Sequence, residues 1–158
     1  MNLKSTSKLE LVVDKNVFYT AAEIDNVPLD VSLTSLQTIL KIIRECHTMV
    51  VTGEYLSNIF KKLKKAKSKA AMYLASILNR ARAIEKKFKY EKPMEVEDVP
   101  KDDIDVVGLA LTSKDKILVV ANIDNHPADE ELVTVLRERY KGRIRVLTCK
   151  KLLALLAI

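Results

Sequence analysis

The chain has 158 residues, 48% of them apolar, with three Gly, four Pro and a formal charge of +6. That length gives one domain over residues 1–158 with a proper hydrophobic core, and the low Gly and Pro content excludes a largely disordered chain. Met1-Asn2-Leu3-Lys4-Ser5-Thr6-Ser7 lacks the apolar core of a signal peptide and no later run of about 18 apolar residues could span a bilayer, so the expectation is a cytoplasmic protein with no membrane role.

Leu11-Val12-Val13 reads as a short buried strand ending on Asp14, and a loop carrying Asp25, Asn26 and Pro28 follows. Leu33, Leu36, Ile39, Leu40 and Ile43 then recur at the spacing of one helix face. Met49-Val50-Val51 is a second strand, and Thr52-Gly53 leads into a helix through Glu54, Leu56, Ile59, Phe60 and Leu63. This strand, helix, strand, helix order is the βαβ pattern of a parallel sheet. A basic helix spans about Ser68 to Ala83, and Phe88 to Tyr90 forms an edge strand. An acidic stretch from Glu95 to Asp105 precedes a helix starting near Asp103. Ile117 to Val120 is the next strand, and Asn122, Asp124, His126 and Pro127 form its loop. A helix from Ala128 to Tyr140 stops at Lys141-Gly142, and a strand at Ile144 to Leu147 and a helix at Lys151 to Leu155 close the chain. The fold class is therefore α/β, with three αβα layers around a mostly parallel sheet.

Charge is unevenly divided. Residues 61–92 hold twelve Lys or Arg against two Glu, a local +10, which leaves the remainder at −4. Lys61, Lys62, Lys64 and Lys65 open this block, and such density favours a polyanion, of which nucleic acid is the commonest. A solvated helical face with snorkelling lysines is the alternative. Cys46 and Cys149 lack any metal-ligand spacing and read as idle thiols. His47 reads as a partly exposed capping residue, and neither it nor His126 is placed in the catalytic set.

In a parallel sheet every strand-to-helix connection lies at one edge, so Asp14, Glu54, Asp103 and Asp124 are expected to converge. Each also has a local explanation, as a turn former, a helix cap or a dipole partner. Several carboxylates at one edge repel unless a cation sits among them, and oxygen ligands suit Mg²⁺ or Mn²⁺ rather than zinc. The chemistry implied is metal-assisted phosphodiester hydrolysis.

These residues resemble the PIN-domain family of metal-dependent ribonucleases, from Leu11 to about Leu153. Val12-Val13-Asp14-Lys15-Asn16-Val17-Phe18 is similar to the family's opening strand and its D-T-N-type motif. Met49-Val50-Val51-Thr52-Gly53-Glu54-Tyr55-Leu56 resembles the second strand with its helix-starting Glu, and Asp103-Ile104-Asp105-Val106-Val107-Gly108-Leu109-Ala110 the third motif. The resemblance implies an endoribonuclease with Asp14, Glu54 and Asp103 as metal-binding acids and Asn16 in support. Asp105 competes with Asp103 for its place. Lys15 departs from the usual Thr or Ser. The fourth motif reads Val120-Ala121-Asn122, so its role falls to Asp124, as a further catalytic and metal-binding acid, or to Asn122.

The implied partners are RNA, held by the lysine block, and an antitoxin or RNA-processing protein. A catalytically degenerate RNA-binding or scaffold protein of the same fold is the alternative. A phosphatase of the haloacid-dehalogenase type would need a second Asp where Asn16 stands. The surplus of amphipathic helix surface points to a two-fold homodimer.

Overall fold

The structure, a computed structural model, describes residues 8–24, 27–121 and 127–157. Five parallel strands form one sheet: β1 (Glu10–Val13), β2 (Thr48–Val51), β3 (Phe88–Tyr90), β4 (Ile117–Val120) and β5 (Arg145–Thr148), in the order β3-β2-β1-β4-β5. Among the described residues seven α-helices surround it: α1 (Lys15–Ala21), α2 (Leu29–Arg44), α3 (Gly53–Ala66), α4 (Lys69–Ala83), α5 (Ile104–Thr112), α6 (Pro127–Arg139) and α7 (Cys149–Leu156). The three-layer α/β architecture expected from the sequence is the one observed. Among the described residues no helix is long and apolar enough to cross a membrane.

The inner strands β1, β2 and β4 carry apolar runs facing both sides because helices cover both faces of the sheet. Leu11 and Val13 of β1, Met49 of β2 and Ile117 and Val119 of β4 point into one core with α1, α2, α3, α4 and α7. Val12, Val50, Leu118 and Val120 point into the other, against α5 and α6. Register follows from this alternation. Leu11 lies opposite both Met49 and Ile117, and Val13 opposite Val119. A slip of one residue would exchange the two cores.

Two local expectations are corrected. Residues Lys15–Ala21, read as part of a loop, form α1, whose Val17, Phe18, Thr20 and Ala21 are buried. Seven residues are too few to show a helical period, and their apolar pair runs on from the strand. His47, read as a partly exposed cap, is fully buried. Its Nδ1 accepts the Leu9 main-chain N–H at 3.0 Å. The proton therefore sits on Nε2, which has no hydrogen-bond partner among the described residues.

Helix α5 is buried nearly all round because residues 91–99 cover its outer side. Gly108 permits the approach: the Met94 N–H donates to the Gly108 carbonyl at 3.1 Å, and a Cβ on Gly108 would strike the Met94 carbonyl oxygen. Gly108→Ala should therefore cost about 1–3 kcal/mol through overpacking against backbone. Urea denaturation measures this, and an unchanged midpoint would show that the 91–99 segment yields freely.

Burial is the largest cause holding the His47 pKa below its ordinary 6.5; Glu45 and Asp115 pull it upward and Lys8 and Lys41 push it down. The unfolded chain then takes up the proton first. The stability that neutral His47 contributes is complete above about pH 6.5 and is lost as pH falls below it. The urea midpoint should drop between about pH 7 and pH 5.5. His47→Asn, whose side-chain oxygen stands in for Nδ1, should flatten that drop. An equal drop in both proteins would assign the pH dependence elsewhere.

Candidate active site at the carboxyl edge of the sheet

The strand order places β2 on one side of β1 and β4 on the other, so helical connections diverge at the carboxyl ends of β1 and β4. Open α/β sheets bind ligands at this topological switch point. Asp14 stands there, following β1, and is 1% exposed. Its main-chain N–H donates to the Val119 carbonyl of β4 at 2.9 Å, continuing the sheet pairing by one rung. Its Oδ2 accepts the Asn16 N–H at 3.2 Å and so caps α1, where the helix dipole favours a negative charge. The rim position and the local capping role, weighed as alternatives in the sequence, coincide in one residue.

The second motif folds against the same place. Thr52 caps α3 by accepting the Tyr55 N–H at 2.9 Å. The Tyr55 hydroxyl donates to the Val13 carbonyl at 2.7 Å, fastening the first turn of α3 to the residue before Asp14. Tyr55 carries no obvious motif signal beyond its adjacency to Glu54, and its partner is 42 residues away. Glu54 lies in that same turn and is exposed.

Asp103 immediately precedes α5 and is half-buried, whereas Asp105 is exposed. The two competing acids thus differ in exposure, Asp103 being the more covered. Only residues 113–116 connect α5 to β4. The C-terminal end of α5 is therefore held near the amino edge of the sheet. A nine-residue helix is about as long as a four-residue strand, so its N-terminus points toward the carboxyl edge. Asn16 is half-buried in the first turn of α1. Asp124, Asn122 and His126 lie outside the described residues.

Oxygen donors of this kind suit a hard divalent cation, and a carboxylate as deeply placed as Asp14 is a fitting ligand. Among the described residues, however, no three His, Cys, Asp or Glu side chains group closely enough to hold a metal ion. Asp14, Glu54 and Asp103 share an edge without forming a complete ligand set by themselves.

The lysine block forms a helical hairpin. Leu56, Ile59 and Leu63 of α3 and Ala71, Leu74 and Leu78 of α4 are buried, while Lys61, Lys62, Lys64, Lys65, Lys67 and Lys69 are exposed. Lys67 turns the chain in the left-handed region at φ 54, and Ser68 caps α4 by accepting the Ala71 N–H. Lys62 stacks over the Tyr19 ring at 5.5 Å. Among the described residues, Lys61, Lys64 and Lys65 enter no ion pair. No family model matches the chain, and neither the curated proteins nor the solved structures contain a significant match to it.

Removing the Asp14 side chain should expose its capping role. Asp14→Ala is expected to cost about 1 kcal/mol of stability, and Asp14→Asn, which keeps an acceptor oxygen, only a few tenths. Thermal denaturation distinguishes them, and an equal loss in both would show that charge rather than capping governs the contribution of Asp14.

Proposed function

We propose that this chain is a metal-dependent endoribonuclease of PIN-domain type. The observation that carries the reading is a fully buried carboxylate, Asp14, at the switch point between β1 and β4. The resemblance of the motifs at Asp14, Glu54 and Asp103 supports it. Asp14, Glu54 and Asp103, with Asp124 or Asn122, would hold Mg²⁺ or Mn²⁺; Asn16 would support Asp14. When bound, the ion supplies an activated water and neutralises charge on the phosphate. The chain's own contribution is placement. The cap on α1 and the rung to Val119 fix the Asp14 backbone, Tyr55 ties α3 to the adjoining residue, and the lysines of α3 hold the RNA backbone electrostatically.

The lack of a complete three-ligand group among the described residues favours a second reading, an RNA-binding protein of the same fold without chemistry. Cleavage of a single-stranded RNA separates the two. On the nuclease reading, Mn²⁺ or Mg²⁺ supports cleavage, EDTA stops it, and Asp14→Asn lowers the rate by about 100-fold or more while the protein stays folded. Cleavage that survives both chelation and Asp14→Asn would overturn the metal mechanism. Binding without cleavage would select the second reading.

The lysine block makes a separate prediction under either reading. Replacing Lys61, Lys62, Lys64 and Lys65 with Gln should weaken RNA binding for all sequences. It should also reduce the slope of log K against log salt by about 3 if all four lysines contact phosphates. An unchanged slope in a filter-binding or fluorescence titration would make the block a solvated face.

A further inference from the structure

On the α5–α6 side of the sheet, a cleft of about 300 Å³ opens between α6 and the carboxyl ends of β4 and β5. Its floor is apolar: Val133 of α6, Ile144 just before β5, and Val120 and Val146 of the strands. Its rim carries Arg137 from the last turn of α6, Lys141 from the turn that follows and Lys151 from α7. All three are exposed. Among the described residues no carboxylate lines the cleft and none of the three cations enters an ion pair.

Local structure explains only part of this arrangement. A cation in the last turn of α6 complements the helix dipole, which accounts for Arg137. Lys151 has no such reason, since it lies in the first turn of α7, where a positive charge is disfavoured. Three like charges brought to one cleft from separate segments repel each other until an anion joins them. The Thr148 hydroxyl also lines the cleft. It accepts the Lys151 N–H at 3.2 Å, and its own proton remains available to donate.

An inorganic anion would satisfy the rim but leave uncovered the apolar surface that the floor still presents, chiefly at the half-buried Val146. A nucleotide carries both parts, and the volume lies at the lower end of the range for small-ligand sites. We propose that this cleft binds a nucleotide, with its phosphate on Arg137, Lys141, Lys151 and the Thr148 hydroxyl and its base or sugar on Val133, Ile144 and Val146. The site stands apart from the lysine block of α3 and from the carboxylates. Val120 pairs with Thr148 at the same edge as Asp14, and β5 lies two strands from β1. At ordinary inter-strand spacing that is about 10 Å. A strand seated in the cleft therefore has a short path to Asp14; that last step alone rests on the nuclease reading.

The test uses the full chain with EDTA throughout, so that loss of metal chemistry does not enter. Calorimetric titrations with 5′-AMP and with a short single-stranded oligoribonucleotide are run on the wild type and on the combined variant Arg137→Gln, Lys141→Gln, Lys151→Gln. AMP binding that falls at least tenfold in the variant identifies a free-nucleotide site. Oligonucleotide binding alone, weakened at least tenfold, identifies a site for a nucleotide within a strand. Both support the proposal. Failure of the wild type to bind either, or equal binding by the variant, overturns it. So does polyglutamate binding as tightly as the oligonucleotide, which would mark an acidic-protein surface. If the variant does not fold, amide shifts in the wild type decide: changes at Ile144, Val146 and Thr148 support the site, and changes confined to other residues overturn it.

Discussion

The whole architecture turns on the residue where β1 stops being a strand. Asp14 donates its main-chain N–H to Val119 as a last rung of the sheet, and two residues later its carboxylate has already capped α1. Strand and helix are thus joined without a linker, and one N–H freed by the change of backbone, that of Asn16, is satisfied by the Asp14 side chain. Because β1 is the central strand, both cores meet on it: Leu11 and Val13 face one, Val12 the other. A carboxylate in that position is buried by the packing of everything around it.

The amino edge shows the opposite use of polar groups. His47 accepts from Leu9, Asp115 accepts from the Glu10 N–H at 2.8 Å, and Glu10 accepts from the Lys114 N–H at 2.8 Å and from Lys89 Nζ at 3.0 Å. Burial raises the Glu10 pKa, but these bonds from Lys114 and Lys89 outweigh it and hold the carboxyl below its usual range. Lys89 in turn is raised, first by its bond to Glu10 and then by Glu91. Charge at this edge is mutually satisfied. On the α3–α4 hairpin the exposed lysines lack such partners among the described residues, and on the α6 side the same holds for Arg137, Lys141 and Lys151. The contrast leaves the cations of these two surfaces exposed to solvent.

The strands were legible because a fully buried parallel strand is a continuous apolar run, and Leu11 to Val13, Met49 to Val51 and Ile117 to Val120 contain little else. The long helices were legible from their three-and-four spacing. What escaped depends on partners distant in the chain. The buried His47 finds its partner in Leu9, 38 residues away, and the tie from Tyr55 to Val13 spans 42. Helix α1 escaped because it is too short to show a period. The close approach at Gly108 escaped because it is set by the path of residues 91–99. Of the candidate site, the edge shared by Asp14 and Glu54 could be read from topology. Side-chain direction could not, and it leaves Asp14 buried while Glu54 faces solvent.

On the proposed nuclease reading, a divalent cation binds at the end of β1 beside β4. Paramagnetic broadening by Mn²⁺ in amide-resolved NMR of the wild type reads this directly, without requiring turnover. On that reading, substoichiometric Mn²⁺ broadens the amides of Asp14, Lys15, Tyr55 and Ala121 first, and Asp14→Asn abolishes this selectivity. Broadening that begins elsewhere, or that is unchanged in Asp14→Asn, would contradict it.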